Sequence, residues 1–454
     1  GIEDLAIGAD WARGGGKVWI ACLDSSAEII DVQVLDPPGQ APGGSRFGTS
    51  IAHVPGLAAA GSGLGPDRLA IGAPQQAEYG IRRGAVWMLE TEADGPPRRR
   101  PDPPRSELVD SGGQLYGWGG QYGGNPSVPD QDRPTPRKLE WAADQLIDLK
   151  VTTHVMAVLT GGSVIAWGRN PYGQLGNGKL TDRPAPGKIL FPKGTPAMLQ
   201  VVSANTHSLS LDVDGNVWGW GGGSQYQLIG GEARTRPAKI SFLADKKITS
   251  IAGGYWGGMA VDDAGQVWEW YPKVVRLVDG ALLGKQVIAV AAAHSVRMAL
   301  TDAGEVYSWP RGGGPVLAKG SLKGRVAAGI GATYDCLYVH TSDRRTHAWG
   351  KNTHGQLGLG SIAAVDEPTE IISLRGKDVH SIAGGRNHVL MLTADGRVYG
   401  IGANGDGQLG NDDWLRDRNR PVLLDLKNVT RIAAGENASL AVVGRKASAD
   451  TTGR

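Results

Sequence analysis

One recurrence limits what this chain can fold into more than any other feature. The pattern Gly-x-(Val/Leu/Ile)-x-x-Trp appears as GQLYGW, GSVIAW, GNVWGW, GQVWEW and GEVYSW, and in weakened form as RRTHAW and GRVYGI. The seven copies end at Trp118, Trp167, Trp220, Trp270, Trp309, Trp349 and Ile401, at spacings of 49, 53, 50, 39, 40 and 52 residues. Self-similarity at a period near 50 marks a repeat architecture, in which one unit cannot bury its own apolar face and neighbours must stack. Ahead of the copies from the second onward stand apolar alternating segments: HVMAVL, HSLSLD, GGMAVD, VRMALT, CLYVHT and HVLMLT. A seventh, ASLAVV, occupies residues 438–443 with no Trp segment after it. Alternation with period two is the signature of a half-buried strand, and these segments read as the inner strands of the repeat.

The two series are out of phase, because the array opens on a Trp strand and closes without one. Pairing the C-terminal RIAAGENASLAVVG with the N-terminal GGQLYGWGG in one composite blade restores the count. Such a closure removes exposed sheet edges, and seven blades fall within the usual range of about 4–8. The expectation is an all-β protein whose residues 108–444 form a closed seven-bladed β-propeller.

The second half of the repeat adds a loop. WGRNPYGQLGNG starts at Trp167, WGKNTHGQLGLG at Trp349 and IGANGDGQLGND at Ile401. The Trp-Gly step, the Asn at 170, 352 or 404, the GQLG run and a later Pro together resemble the regulator of chromosome condensation repeat family. The resemblance spans residues 108–444 and implies the propeller fold. It also implies a structural hydrogen-bonding role for His154, His207 and His388, which share one position in the repeat. GQLG reads as a glycine-permitted turn that begins the crossing to the next blade.

Residues 1–90 follow another pattern. RFGTSIAHV, DRLAIGAPQQ and GAVWMLE resemble an integrin-type FG-GAP repeat, and DLAIGAD with GGKVWIACL forms an earlier half copy. The expectation there is a small β region of about one and a half repeats. The calcium loop of that family should fall at 53–67, where this chain offers one carboxylate, Asp67. Calcium takes several oxygen ligands, so no calcium is expected. Residues 91–107 read as a Pro- and Arg-rich linker and residues 445–454 as a disordered tail.

Composition excludes several classes. Gly is 70 of 454 residues, about twice the usual share, which favours turns over long helices. A net charge of +2 gives no global attraction to nucleic acid. The two cysteines, Cys22 and Cys336, cannot make a disulfide framework, and no Cys/His spacing suggests zinc. No apolar run reaches the roughly 18 residues of a membrane helix. No P-loop, HExxH or GxSxG is present, GSGLG at 61–65 has no helix after it, and no catalytic set, cofactor or metal is expected.

A residue that recurs blade after blade is held by the fold, whereas one found in a single blade is free to serve a partner. By that criterion the Trp series and the Arg-Pro steps at 133, 183, 236 and 420 are structural. Two regions break the repeat. GNDDWLRDRNRP at 410–421 places Trp414 among Asp412, Asp413 and Arg416, and Trp and Arg dominate binding hot spots. With Tyr172 and His354 in the equivalent loops, these residues form the expected partner-binding set. Between 271 and 325, eight basic residues face three acidic ones. Lys273, Arg276, Lys285, Arg311, Lys319, Lys323 and Arg325 are the basic patch, with Arg297 beside them, and such a patch can steer acidic partners or phosphates. It lacks the interleaved aromatics of a nucleic-acid groove, so a nucleic-acid partner is not expected.

The resulting expectation is a monomeric, non-catalytic protein-binding scaffold that engages a partner through propeller loops. The FG-GAP resemblance, to adhesion modules, points to an extracellular or envelope setting. The alternative implied by the propeller family is guanine-nucleotide exchange on a small GTPase with chromatin docking, in the cytoplasm. Fold alone does not choose between them.

Overall fold

The computed structural model describes residues 3–9, 18–23, 29–35, 50–53, 68–74, 84–90, 113–120, 135–143, 146–222, 234–254, 257–411, 413 and 416–444. The chain divides into two compact units, Gly1–Glu107 and Leu108–Arg454. The first contains two three-stranded antiparallel sheets, one of Glu3–Ala9, Val18–Leu23 and Ile29–Leu35, the other of Ser50–His53, Arg68–Pro74 and Gly84–Glu90.

The second unit is a seven-bladed propeller of four-stranded antiparallel sheets. Blade 1 runs outward from Leu146–Val151 through His154–Leu159 and Val164–Gly168 to Arg183–Lys188. Blades 2 to 6 repeat this order, opening at Met198, Ile248, Val287, Ala327 and Val379. Blade 7 is composite, with Val429–Ala434 and Ala438–Val443 joined to Gly113–Gly119 and Arg137–Ala143. Ser439 pairs with Trp118 across the closure, so the two ends of the ring share one sheet as expected.

One placement differs from the sequence reading. The apolar segments HVMAVL to ASLAVV are the second strands, not the innermost. Their burial on both faces makes them the most regular part of the repeat, and they are fully buried in blades 2, 3 and 6. The innermost strands, such as LIDLKV and MLQVVS, face the channel on one side, so they carry polar residues and a weaker period.

The Trp strands are third in each sheet, and Trp118, Trp167, Trp220 and Trp270 are completely or almost completely buried between adjacent blades. An aromatic of this size removes about 150–250 Å² from water and dominates a core contact. The glycine after Trp is required by a close approach. Gly168 lies at φ 108°, and a Cβ there would sit 2.9 Å from the His154 Cα. At Gly402, φ is 103° and a Cβ would be 2.3 Å from the Asn387 carbonyl oxygen. In blades 3 and 4 this position is Tyr271 and Pro310, and both lack the long loop.

The GQLG loop closes the junction to the next blade. Its Leu175 plugs the contact between blades 1 and 2, and the Gln174 carbonyl accepts hydrogen bonds from the Trp220 indole at 2.8 Å and the Ser208 hydroxyl at 2.7 Å. His154 of blade 1 pairs its Nε2 with the same hydroxyl at 2.7 Å. Between blades 6 and 7 the same parts recur: Trp118 and Ser439 donate to the Gln408 carbonyl at 2.9 and 2.8 Å, and His388 pairs with Ser439 at 2.9 Å. Burial depresses the pKa of His154 and His388 to about 3, so both are neutral hydrogen-bonding rings at pH 7.

Blade 3 has no such loop, and its junction to blade 4 is built from charge. Arg297 occupies the strand position of Ser208 and donates its Nε to Glu269 at 3.0 Å, both side chains being 0% exposed. Arg276 completes a triad on Glu269 at 2.7 Å and donates to the Gly313 carbonyl at 2.5 Å. Trp309, paired across the sheet with Arg297, is buried with no acceptor for its indole N–H among the described residues.

Candidate partner-binding face

In an antiparallel four-stranded blade, the turn after the first strand and the loop after the third leave at the same end. Backbone bonds tie them together: Arg311 N–H to the Ser295 carbonyl at 2.8 Å, Lys351 to Asp335 at 3.2 Å, and Ala403 to Asn387 at 2.8 Å. One face of the ring therefore carries both the long loops and the rim of the channel.

Each long loop is braced from within. The Asn170 amide donates to the Lys179 and Thr181 carbonyls at 2.8 and 3.1 Å while its oxygen accepts the Leu175 N–H at 2.8 Å. Asn352 and Asn404 repeat this pattern. The Gln side chain accepts the backbone N–H of the residue two positions earlier, at 3.0 Å from Tyr172, 2.9 Å from His354 and 2.9 Å from Asp406. These three residues are thus equivalent loop-tip positions, and Tyr172 is 48% exposed.

The structure joins two of the expected site residues' loops and separates a third. His354 Nδ1 lies 2.7 Å from a carboxylate oxygen of Asp417, linking the loops of blades 5 and 6. Asp413 in the same blade 6 loop pairs with Arg418, and Arg416 is exposed. Tyr172 belongs to blade 1, two blades around the ring from blade 6. Trp414 and Asp412 lie outside the described residues. The basic residues divide likewise. Arg276 is committed to Glu269, Lys285 to Glu305 at 2.7 Å, and Arg325 to Asp343. Lys273, Arg311, Lys319 and Lys323 are exposed.

The channel mouth holds a set the sequence reading passed over. A cavity of about 330 Å³ is lined by the inner strands of all seven blades and by the turns that end them. Four turns are joined edge to edge: His294 N–H donates to the Tyr334 carbonyl at 2.8 Å, Tyr334 to Gly385 at 3.2 Å, and Arg386 to Gly435 at 3.1 Å. Above this backbone the His294 and Tyr334 rings stack at 4.2 Å and 8°, and the Arg386 guanidinium lies 5.6 Å from the Tyr334 ring centre. Asp335 beside them accepts from Ser295 and Lys351, both at 2.7 Å. Burial opposes its ionisation, but those two bonds outweigh it and hold the carboxyl below its ordinary value. Burial lowers the His294 pKa, Asp335 opposes that, and Arg311, Lys351 and Arg297 add to it, leaving a neutral imidazole at pH 7.

This platform has a signal in the sequence. Aligned by repeat, the inner turns read Thr152-Thr153, Asn205-Thr206, His294-Ser295, Tyr334-Asp335, Arg386-Asn387 and Glu436-Asn437. They differ at each of these six blades, between strands that keep nearly the same length and the same pairing. The test that separates fold-held from free residues would have nominated them had the innermost strands been located.

Comparison with known proteins agrees with the repeat structure. Residues 161–211, 214–261, 345–392 and 395–442 match the family model described as "Regulator of chromosome condensation (RCC1) repeat", and residues 379–408 match a second model of that description. E3 ubiquitin-protein ligase HERC2 of Homo sapiens is 30% identical over 352 residues, covering 73% of this chain but 6% of that protein. Ultraviolet-B receptor UVR8 of Arabidopsis thaliana is 28% identical over 329 residues, covering 70% of this chain and 67% of its own. Among solved structures, Prp20p of Saccharomyces cerevisiae superimposes with a TM-score of 0.65 at 18% identity, covering 74% of this chain and 92% of that one. The chain thus spans a small fraction of the ligase and about two thirds of the receptor. Among the described residues, no helix is long and apolar enough to cross a membrane.

Proposed function

This chain is a propeller of regulator of chromosome condensation repeats, and we propose that it is a non-catalytic scaffold that binds a protein partner across its loop-bearing face. The observation that carries the reading is the platform of Arg386, Tyr334 and His294 at the channel mouth. Tyr and Arg are the residue types that concentrate binding energy, and here both are partly exposed and pre-positioned by backbone bonds. Neighbouring Asp335, Lys351 and Arg311 provide a polar rim of both signs, which sets register and rejects wrong partners. Trp414, Tyr172 and His354 would extend the contact outward through the loops. An extracellular or envelope setting for this scaffold rests on the FG-GAP resemblance of residues 1–90.

The reading is tested by proximity labelling and quantitative capture with the full chain, comparing Arg386→Glu and Tyr334→Ala with the native sequence. A specific partner should fall by about tenfold or more with either change. Substituting Lys239, on the outer strand of blade 2, should leave capture unaltered. If the platform variants capture the same proteins at the same level, the mouth is not the interface.

The second reading is nucleotide exchange on a small GTPase with chromatin docking. It is favoured by the fold shared with Prp20p, a protein studied for its binding to Gsp1p and histones. Accelerated release of bound GDP from a small GTPase by this chain would decide for exchange. Capture of a partner without any effect on nucleotide release would leave the scaffold.

A further inference from the structure

The outer edges of the blades are not protected alike. An edge strand presents unpaired N–H and C=O groups, and proteins blunt such edges with proline, charge, irregular pairing or brevity. The outer strands of blades 1, 2, 5 and 6 contain Pro184 and Pro186, Pro237, Pro368 and Pro421. In blade 4 the outer strand is cut to Val316–Leu317. In blade 7 it opens on Arg137-Lys138 directly after Pro136, with a break in register against its neighbour. Blade 3 has no proline within its outer strand and no break in its register, and the one charge on that strand, Arg276, is committed to Glu269 of its own blade. Its outer strand Val274–Val278 reads VVRLV and pairs with Val267–Tyr271 in unbroken register. Val275 and Leu277 are 36% and 39% exposed.

The direction of the free groups follows from the hairpin. Pro272 and Lys273 join Tyr271 to Val274 in a two-residue turn, with Lys273 at φ 65°. The closing pair of such a turn is hydrogen-bonded, and bonded and non-bonded pairs alternate from there. Tyr271–Val274, Glu269–Arg276 and Val267–Val278 are therefore the bonded pairs. The N–H and C=O of Val275 and Leu277 point away from the sheet.

We infer that this edge is a self-association site, where two copies of the chain pair their blade 3 outer strands antiparallel about a two-fold axis centred on Arg276. In that register Val275 faces Leu277 of the second copy and Leu277 faces its Val275. The outward N–H and C=O groups of those residues then close the main-chain bonds, and one sheet continues across both propellers. At each end Lys273 faces Asp279 of the second copy. Both are exposed, and neither has an ion-pair partner among the described residues. At the centre the two Arg276 side chains face each other, each held back onto its own blade by Glu269 at 2.7 Å and the Gly313 carbonyl at 2.5 Å. This sequence offers itself apolar pairs in phase and opposite charges at both ends, which is the complementarity that selects a second copy over an unrelated strand.

The test is sedimentation equilibrium of the full chain from micromolar concentrations to about 0.5 mM. The native chain should show a monomer–dimer equilibrium. Val275→Pro removes an outward N–H that makes no bond within the blade, and should weaken the dimer by at least about tenfold. Lys273→Glu places like charges at both ends and should weaken it by about tenfold, and adding Asp279→Lys should restore it to within about threefold. A circular dichroism melt checks that each variant is folded, and if Val275→Pro is not, the charge swap still decides. A chain that stays monomeric at every concentration overturns the inference. So does a dimer indifferent to both the proline and the charge reversal, whose interface would lie elsewhere.

Discussion

The junction between blades 1 and 2 and the junction between blades 3 and 4 join equivalent strands by different chemistry. In the first, a backbone carbonyl of a GQLG loop gathers an indole, a hydroxyl and, through that hydroxyl, a histidine. In the second the loop is missing, and a fully buried Arg297–Glu269 pair lies where the loop latch would be. The repeat thus fixes the need for a cross-blade anchor but leaves its chemistry open. A neutral latch loses little when one part is removed. A buried ion pair depends on both members, because either one left alone is an uncompensated charge.

The sharpest way to break that contrast is Glu269→Gln, which strands Arg297 in the core. It should cost about 3–5 kcal/mol in urea-induced unfolding, whereas Glu269→Leu with Arg297→Met should recover most of the loss. If the single change costs no more than a surface substitution, the pair is not the anchor. Acid acts on the other kind of junction. His154 and His388 have folded pKa values of about 3 against an ordinary 6.5, so the unfolded chain binds more protons between those values. Stability should therefore be fully present above pH 6.5 and decline as pH falls below it, by about 2 kcal/mol per histidine at pH 5. His388→Asn should flatten a melting-temperature profile over that window, and an unchanged slope would assign the acid sensitivity elsewhere.

A smaller effect separates two tryptophans. Trp220→Phe loses the bond to the Gln174 carbonyl, whereas the Trp309 indole N–H has no acceptor to lose among the described residues. The first change should cost about 1 kcal/mol more than Trp309→Phe, measured by the same unfolding experiment. A loss of similar size, about 1 kcal/mol, is expected from Ser439→Ala, because His388 and Gln408 each lose one neutral partner. An effect near zero there would mean that water enters the closure between blades 6 and 7.

The fold was legible because its strongest demands recur. Trp at the blade contact, Gly after it, and Asn, Gln and Leu in the loop each answer one steric or hydrogen-bonding requirement that returns in each blade built with the long loop. The composite blade was legible from a count, since an array that opens and closes out of phase can be repaired in one way. The innermost strands were misplaced because one face meets the channel. That relaxes the apolar alternation on which strand recognition depends. Basic residues between 271 and 325 read as one patch because charge along a chain carries no information on depth, and Glu269, which pairs with two of them, lies just before that stretch.

The sequence by itself determined the architecture: seven sheets, their order and their closure, because periodic burial imposes periodic residues. Only the tertiary structure decided which groups share a surface. His294, Tyr334 and Arg386 lie 40 and 52 residues apart, and they meet because the ring brings the ends of successive inner strands to one rim. The fate of Arg297 was decided in the same way. A guanidinium reads as surface charge until the third strand of the preceding blade sets Glu269 beside it and burial excludes water from both.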